Sequence, residues 1–479
     1  MKKGGRKMSS GQRYLERLND GRLVWLNGEV IRDLPNHPDF RGSVGTVRQL
    51  LDLQDDPETE NQLVYEENGK KVHLSFLVPR SKEDLKRKSK AYKIWSDRTF
   101  GVMSRLSEYA RSILTGWYAA RSELGGNDGQ FAEKIARYYR HSLESDLLST
   151  VVGHDPQIDR TKKASEFADP YTMVRIVREN QEGIIVRGAK MIATAAPYVD
   201  ELLVFPHHKR PQEDARYATM FAVPVNTPGL HVVCRESFAS QFKEDHPLSS
   251  RFDEMDAVII FDEVLIPWER VFIKDDPEAI WKARNHPIPS ILSQHQTVVR
   301  LISKLEFVAA IGNEIAETIG ATRFLHVQEK LAELFIQLET IKALLVAAEE
   351  QVTEVLGVTL PALDPLVTAR NLGTRFYPRA IEILQQIGAG GFLQLPSRVA
   401  ELNGPIGDLL QSYYRGANGN AAERTRLFKT AWDLIGTPLA SRHELYERFY
   451  SGDPVRTFAA QYLNYDKKPL LEKISAFTK

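Results

Sequence analysis

The 479-residue chain contains a single cysteine, Cys234, which excludes an intrachain disulfide framework and any iron–sulfur or zinc site built on four cysteines. One thiol in so long a chain fits a reducing, cytoplasmic setting. Net charge is absent as well: 63 lysines and arginines stand against 63 aspartates and glutamates. The global field therefore favours neither nucleic acid nor an anionic membrane, and a small-molecule substrate is expected. No apolar run reaches the ~18 residues of a membrane span, and the basic opening Met1-Lys-Lys-Gly-Gly-Arg-Lys7 is not followed by the apolar stretch of a signal peptide. There is no Gly-x-Gly-x-x-Gly between a strand and a helix and no Gly-Lys-Ser/Thr loop, which argues against a Rossmann unit and against kinase or ATPase chemistry. Gly388-Ala-Gly-Gly391 follows a helical pattern and reads as a C-cap and close-packed turn, or as a ligand loop. His207-His208 lacks a carboxylate or third histidine at ligand spacing, so no metal is expected.

At about 150 residues per domain the length suggests two to four domains, and the patterning divides the chain into three: 1–148, 149–277 and 278–479. Asn27-Gly28 within Arg22–Val30 predicts a hairpin. Ser81-Lys-Glu-Asp84 has capping-box spacing and opens a long helical region to about Leu124, with Tyr92, Trp95, Met103, Leu106, Tyr109, Ile113 and Trp117 at helical intervals and Gly101 as the candidate break. A further helix is expected over 129–147. From 149 the period changes. Gly183–Val186, Ala189–Thr194, Glu201–Phe205, Ala218–Val225, Leu230–Cys234, Ala257–Phe261 and Val264–Ile266 are short β-rich runs, the first two joined by a tight turn at Arg187-Gly188. They predict a compact antiparallel sandwich or barrel. Beyond Pro289, stripes through Val298, Leu301, Leu305 and Val308 and through Leu331, Leu334, Leu338 and Ile341 mark two long amphipathic helices of a bundle. More helices are expected at about 365–387, 421–435 and 441–450, and the fold class is α+β.

Three groups of residues could carry chemistry, each with an ordinary structural alternative. Arg105 and Tyr109, four apart in a helical stretch, share a face. A guanidinium beside a phenol can grip a phenolate, or it is a surface arginine packed along a half-buried tyrosine. The loop His154-Asp-Pro-Gln-Ile-Asp-Arg160 offers an imidazole, two carboxylates, an amide and a guanidinium on a backbone that Pro156 restricts. It suits a polar, planar ligand, or it is a turn with local salt bridges. Thr194 ends a strand before Ala-Ala-Pro197 and presents its hydroxyl to a ligand edge, or is a plain strand threonine.

Several stretches in order along nearly the whole chain carry a resemblance. They are Gly11-Gln-Arg-Tyr-Leu-Glu-Arg-Leu-Asn-Asp-Gly-Arg22, Phe76-Leu-Val-Pro79, Asp155-Pro-Gln-Ile-Asp-Arg160, Gly188-Ala-Lys190 through Ala193-Thr194, Phe261-Asp-Glu-Val-Leu-Ile-Pro-Trp-Glu-Arg-Val-Phe272, Leu427-Phe-Lys-Thr-Ala-Trp-Asp433 and Arg448-Phe-Tyr-Ser-Gly-Asp-Pro-Val-Arg456. Together they resemble the oxygenase components of the 4-hydroxyphenylacetate 3-monooxygenase family. The resemblance implies an acyl-CoA dehydrogenase-like fold, with an N-terminal helical domain, a central antiparallel β-sandwich or barrel and a C-terminal four-helix bundle, assembled as a homotetramer (a dimer of dimers). It implies the oxygenase component of a two-component flavin-dependent monooxygenase. Reduced FAD comes from a separate NAD(P)H:flavin reductase, O2 is co-substrate, and a phenolic or related aromatic is hydroxylated through a flavin C4a-hydroperoxide. Carried over by position, Arg105 and Tyr109 grip the phenol oxygen, while Asp155, Gln157, Arg160 and Thr194, and Gly452 and Asp453 at a C-terminal turn, contact the flavin; His154 is the candidate third catalytic residue if the backbone turns to bring it in place of the family histidine.

Two departures bear on the substrate. Where hydroxylases of 4-hydroxyphenylacetate place a histidine for the phenol oxygen, an ungapped reading gives Val151, with His154 three residues on. The loop in which they place small hydroxyl residues for the carboxylate tail reads Pro206-His-His-Lys-Arg210. A different phenol, an aryl acid or another electron-rich aromatic is as consistent as 4-hydroxyphenylacetate. The alternative is an acyl-CoA dehydrogenase-like flavin oxidoreductase, which needs a glutamate base and tightly held oxidised FAD; a flavin-storing scaffold is a third reading. The related 4-hydroxybutyryl-CoA dehydratase needs an iron–sulfur cluster that Cys234 alone does not supply.

Overall fold

The structure, a computed structural model, describes residues 8–478. By internal contacts the chain forms two compact units, Met1–Lys304 with Thr353–Leu360, and Leu305–Val352 with Pro361–Lys479.

The first unit carries strands β1 (Leu23–Leu26), β2 (Glu29–Ile31), β3 (Val64–Glu67), β4 (Lys70–His73), β5 (Ser149–Val152), β6 (Arg175–Glu179), β7 (Gly183–Thr194), β8 (Glu201–Val204), β9 (Met220–Pro224), β10 (Leu230–Cys234), β11 (Asp256–Pro267) and β12 (Val271–Ile273). One sheet has the order β2-β1-β10-β11-β7-β6 and the other β12-β9-β8-β5, while β3 and β4 form a hairpin of their own. The Asn27-Gly28 turn forms as expected, with φ of 54° and 83°, the left-handed pair that a two-residue hairpin loop needs. Pairing is not purely antiparallel, however: β1 runs parallel to β10 and β5 parallel to β8. Both strands enter from the helical N-terminal part of the chain rather than from an adjacent hairpin, so nothing forces them antiparallel. Phe221 of β9 meets Phe261 of β11 with ring centroids 5.8 Å apart, one of the contacts that fill the core between the sheets.

Two expected pairs of short strands are each one long strand. Arg187-Gly188 does not turn; β7 and β11 run side by side for twelve residues each. Gly188 has φ 127°, and a β-carbon there would lie 2.4 Å from the Met173 carbonyl oxygen, so this glycine marks a close backbone approach. In β11, Asp262-Glu263 is a bulge with Glu263 at φ 53°, not a gap between strands.

The long N-terminal helical region is also divided, into Lys82–Arg98 and Glu108–Ala119. Phe100 and Gly101, at φ 52° and 65°, end the first helix. A β-carbon at Gly101 would lie 2.7 Å from the Lys304 backbone nitrogen, which requires glycine at this break. Residues 102–106 are not helical. Arg105 therefore lies in the connecting segment and Tyr109 in the first turn of the next helix, and the two do not share a helix face. The other expected helix spans Phe131–Glu144.

In the second unit the helices Leu325–Glu350, Leu363–Gly388, Ala421–Ile435 and Pro438–Phe449 bury the expected stripe of Leu331, Leu334, Leu338 and Ile341. Arg379 grips Glu333 through two donors, both at 2.8 Å, joining the first two of these helices by a bidentate pair. Gly388 ends its helix where a β-carbon would meet the Phe392 ring at 2.3 Å, the close-packed turn expected there. Gly452, at φ 101°, precedes Asp453, whose side chain accepts from the Val455 N–H at 3.0 Å and caps the helix Pro454–Asn464.

Candidate active site

Residues 102–107 make no helix or ladder of their own, so their backbone donors need outside partners. The fully buried Glu254 supplies them: its carboxylate accepts from the Ser104 and Arg105 N–H groups at 3.0 and 2.5 Å. Farther along, the Ser107 hydroxyl accepts from the Ser149 N–H at 2.6 Å and donates to the Ser149 carbonyl at 3.2 Å, tying the segment to β5. Pinned at both places, the Arg105 guanidinium carbon lies 4.1 Å from the Tyr109 ring centroid, a cation–π contact. The proximity that the spacing suggested thus arises from an anchored loop. Glu254→Ala should lower turnover about 10²-fold, because a reacting group displaced by about 1 Å loses that much. Steady-state kinetics on folded protein checks this, and a loss below about twofold would remove Glu254 from any positioning role.

After β5 the chain turns back on β7. The His154 carbonyl accepts from the Met191 N–H at 2.8 Å, at a bulge where Met191 and Ile192 face Val258 alone and Ile192 adopts φ 56°, a strained conformation for a β-branched residue. Asp155 points inward, to Lys190 Nζ at 2.7 Å and to Arg210. Burial by itself would raise this carboxyl, but the two cations hold it below the usual carboxylate range. Asp155 therefore clamps the loop, through partners 35 and 55 residues along the chain and not through the local salt bridges of the structural alternative. Gln157 and Arg160 are exposed and bonded to each other. The Thr194 hydroxyl donates to Asp256 at 2.6 Å, and Asp256 in turn accepts from Arg235 Nε at 3.1 Å.

The His154 ring lies 4.2 Å, centroid to centroid, from that of His207 at an angle of 32°, and His207 meets His208 edge-on at 4.9 Å. Arg284, from the helix Pro277–Asn285, brings Nη2 to 3.3 Å from the His207 ring nitrogens. Burial first, then the Arg105 charge, pushes His154 down to about 4; burial and then Arg284 push His207 to about 2. Both rings are neutral near pH 7. Among the described residues no group of three His, Cys, Asp or Glu could hold a metal ion. Val151 sits within β5, paired with Leu203.

The structure thus sets Arg105 against Tyr109 and His154 against His207, with the Arg105 charge acting on both imidazoles and Arg284 meeting His207. In the sequence His207 reads as part of the loop Pro206–Arg210 and as an unsupported metal ligand, without a contact to His154, and Arg284, 77 residues farther along, carries no local signal. Gly452 and Asp453 belong to the second unit. Because both imidazoles titrate lower when folded than the ~6.5 of an unfolded chain, the unfolded state binds more protons below pH 6.5, down to about 4 for His154 and about 2 for His207. The stability from neutral burial is complete above pH 6.5 and is lost on acidification through those two windows. Replacing both residues, His154→Gln with His207→Gln, should flatten the fall of the denaturation midpoint between pH 6.5 and 4; an unchanged slope would contradict the burial of neutral rings.

Residues 10–273 match the family model described as 4-hydroxyphenylacetate 3-hydroxylase N terminal, and residues 291–479 match its C-terminal counterpart. The chain belongs to the 4-hydroxyphenylacetate 3-hydroxylase family. It is 43% identical to the 4-hydroxyphenylacetate 3-monooxygenase oxygenase component of Thermus thermophilus, over 98% of this chain and 97% of that one. It is 34% identical to the 4-nitrophenol 2-monooxygenase oxygenase component of a Rhodococcus species, over 93% and 86%. A crystal structure of a family oxygenase component complexed with FAD and 4-hydroxyphenylacetate matches with a TM-score of 0.94 at 42% identity, covering 98% of each chain. A 4-hydroxybutyryl-CoA dehydratase from N. maritimus, at a TM-score of 0.88 and 22% identity over 99% and 96%, shares the fold alone. The family fold is the acyl-CoA dehydrogenase-like α+β arrangement expected from the sequence.

Proposed function

We propose that this family member is the oxygenase component of a two-component flavin-dependent monooxygenase that hydroxylates a phenol or related aromatic, using O2 and FAD delivered reduced by an NAD(P)H:flavin reductase. The observation that carries the reading is the anchored Arg105–Tyr109 pair beside two neutral imidazoles. The residues present fit a flavin. Ile158 and Ile192, exposed by 69% and 58%, flank the His154–Met191 bridge as apolar surface for a planar ring, and the exposed Gln157 and Arg160 offer N–H donors to its polar edge or phosphates. Thr194, and the turn at Gly452 and Asp453, complete the cofactor set in this reading. Bound there, reduced FAD supplies the activation of O2.

The chain's own residues do the rest. The Arg105 guanidinium and the Tyr109 hydroxyl hold the substrate's phenol oxygen, and the cation favours its ionised form. Ionisation enriches the neighbouring ring carbon in electrons, which speeds attack on an electrophilic oxygen. His154, held to about 4, is too weak a base to take a proton from a phenol of pKa ~10, so it serves as a neutral hydrogen-bonding partner. The dehydrogenase alternative needs a carboxylate base, yet Asp155 is engaged by two cations and Glu254 by two backbone donors. We further infer a three-part organisation (1–148, 149–277, 278–479), a homotetramer and a cytoplasmic location; no helix among the described residues is long and apolar enough to cross a membrane. Anaerobic titration should show reduced FAD binding more tightly than oxidised FAD, and the opposite order would sink the use of a delivered, reduced cofactor.

A further inference from the structure

We propose that Gln296 and Glu108 are a pair of positioning residues, which hold the start of the helix Glu108–Ala119 so that Tyr109 stays set against Arg105. The proposal rests on the aromatic-oxygenase reading above and names what keeps its substrate grip in register.

The helix Pro287–Thr318 supplies the observation. Every residue from Ile291 to Leu305 is buried, a setting in which a polar side chain costs stability unless it is hydrogen-bonded. Yet Gln296, Arg300 and Ser303, at positions i, i+4 and i+7, line one face of it. All three turn to the stretch that carries Arg105. The Ser303 hydroxyl donates to Asp97 at 2.7 Å, Arg300 Nη1 to the Gly101 carbonyl at 3.3 Å and Gln296 Nε2 to Glu108 Oε2 at 3.4 Å. The contacts thus meet this stretch before its left-handed break, at the break, and where the next helix begins. All of these residues belong to the first unit.

The last contact is the one that bears on Tyr109. Glu108 stands next to it in the first turn of the helix and is fully buried. Among the described residues, the bond to Gln296 is the one hydrogen bond that either side chain makes. The two cations whose charges reach Glu108 are engaged elsewhere. Lys88 donates to the Leu74, Ser75 and Leu77 carbonyls at 3.1, 2.8 and 2.9 Å, and Arg111 to Asp146 at 2.8 Å and to the Leu147 carbonyl at 3.0 Å. Burial pushes the Glu108 carboxyl well above its usual range, against the opposing pull of Gln296, Arg111 and Lys88. An amide suits such a group, because it can donate to the carboxylate and accept from the carboxylic acid. Glu254 therefore fixes the Arg105 side of the grip, and Gln296 fixes the Tyr109 side through Glu108.

The test uses the full chain with FAD and a flavin reductase. The probe is 4-nitrophenol, whose phenolate absorbs visible light and so reports the grip directly. Gln296→Leu should weaken 4-nitrophenol binding about tenfold, the worth of one hydrogen bond to a charged group. It should also raise the pKa of the bound phenol and divert turnover from oxygenated product to hydrogen peroxide, with FAD affinity within about twofold of wild type. Gln296→Glu, which sets two carboxyls face to face, should do the same. Adding Glu108→Gln to Gln296→Glu restores an amide–carboxyl contact with the partners exchanged, and should bring binding back to within about threefold of wild type. Denaturation midpoints show which variants fold; where a single variant does not, the binding of the exchanged pair decides. Phenol binding unchanged in Gln296→Leu, an exchanged pair no better than Gln296→Glu, or equal losses of phenol and FAD affinity would overturn the proposal. Failure of the oxygenase reading is distinct: the wild type would yield no oxygenated product, while titration would still rank the variants by phenol binding.

Discussion

Replacing Arg105 with alanine should lower kcat/KM for the phenolic substrate by about 10²–10³-fold, the usual cost of removing one preorganised group that stabilises developing negative charge. The guanidinium sits 4.1 Å from the Tyr109 ring on a segment that Glu254 and Ser149 hold in place, so the loss falls on the phenolate and not on the fold. FAD affinity should stay within about twofold, since the groups proposed to face the flavin lie on the separate loop of Gln157 and Arg160. Paired titrations of FAD and phenol check this. Equal weakening of both would make Arg105 a structural residue. Arg105→Lys should recover only part of the activity, because an ammonium lacks the planar fork of donors that a phenolate and a tyrosine can share.

The largest effect on stability is expected at Asp155. Its carboxylate lies between the buried Lys190 and Arg210, and Asp155→Ala would leave the two cations without their shared counter-ion. Breaking a buried ion pair from one side costs about 3–5 kcal/mol, which should appear as a sharply lower denaturant midpoint and a shorter half-life on heating. The same clamp holds the loop that bears His154, so reduced-FAD affinity should fall as well. A loss below about 1 kcal/mol would mean that water screens the triad. Asp155 would then be available to a ligand, and the assignment of clamp and cofactor residue would reverse.

Several features were legible because their causes are local. Asn27-Gly28 specifies its own turn, Ser81 caps the helix starting at Lys82 through the Asp84 N–H at 3.1 Å, and the stripe from Leu331 to Ile341 specifies a buried helix face. Gly188 misled because a glycine between two β-branched runs reads as a turn, whereas its cause is non-local, the approach of the Met173 carbonyl. The parallel partners of β1 and β5 lie far along the chain and leave no mark on local periodicity. In the site, Arg105 and Tyr109 were found by spacing, although for a wrong local reason: a left-handed break at Phe100-Gly101 replaces the continuous helix. Glu254, Arg284 and the pairing of His207 with His154 were not found, since a carboxylate that ties down two backbone N–H groups and an arginine that meets an imidazole act across the fold. The family resemblance supplied the chemistry, and the departures at Val151 and at Pro206–Arg210 are where the sequence differs from the wording expected for 4-hydroxyphenylacetate.

The most direct measurement is turnover of a phenol under ¹⁸O₂ with reduced FAD supplied by a flavin reductase, with the product read by mass spectrometry and NMR. One labelled oxygen atom on the carbon next to the phenol oxygen is the result that oxygen transfer at the Arg105–Tyr109 grip requires. Unlabelled product, or hydrogen peroxide with no oxygenated phenol from any substrate, would contradict it.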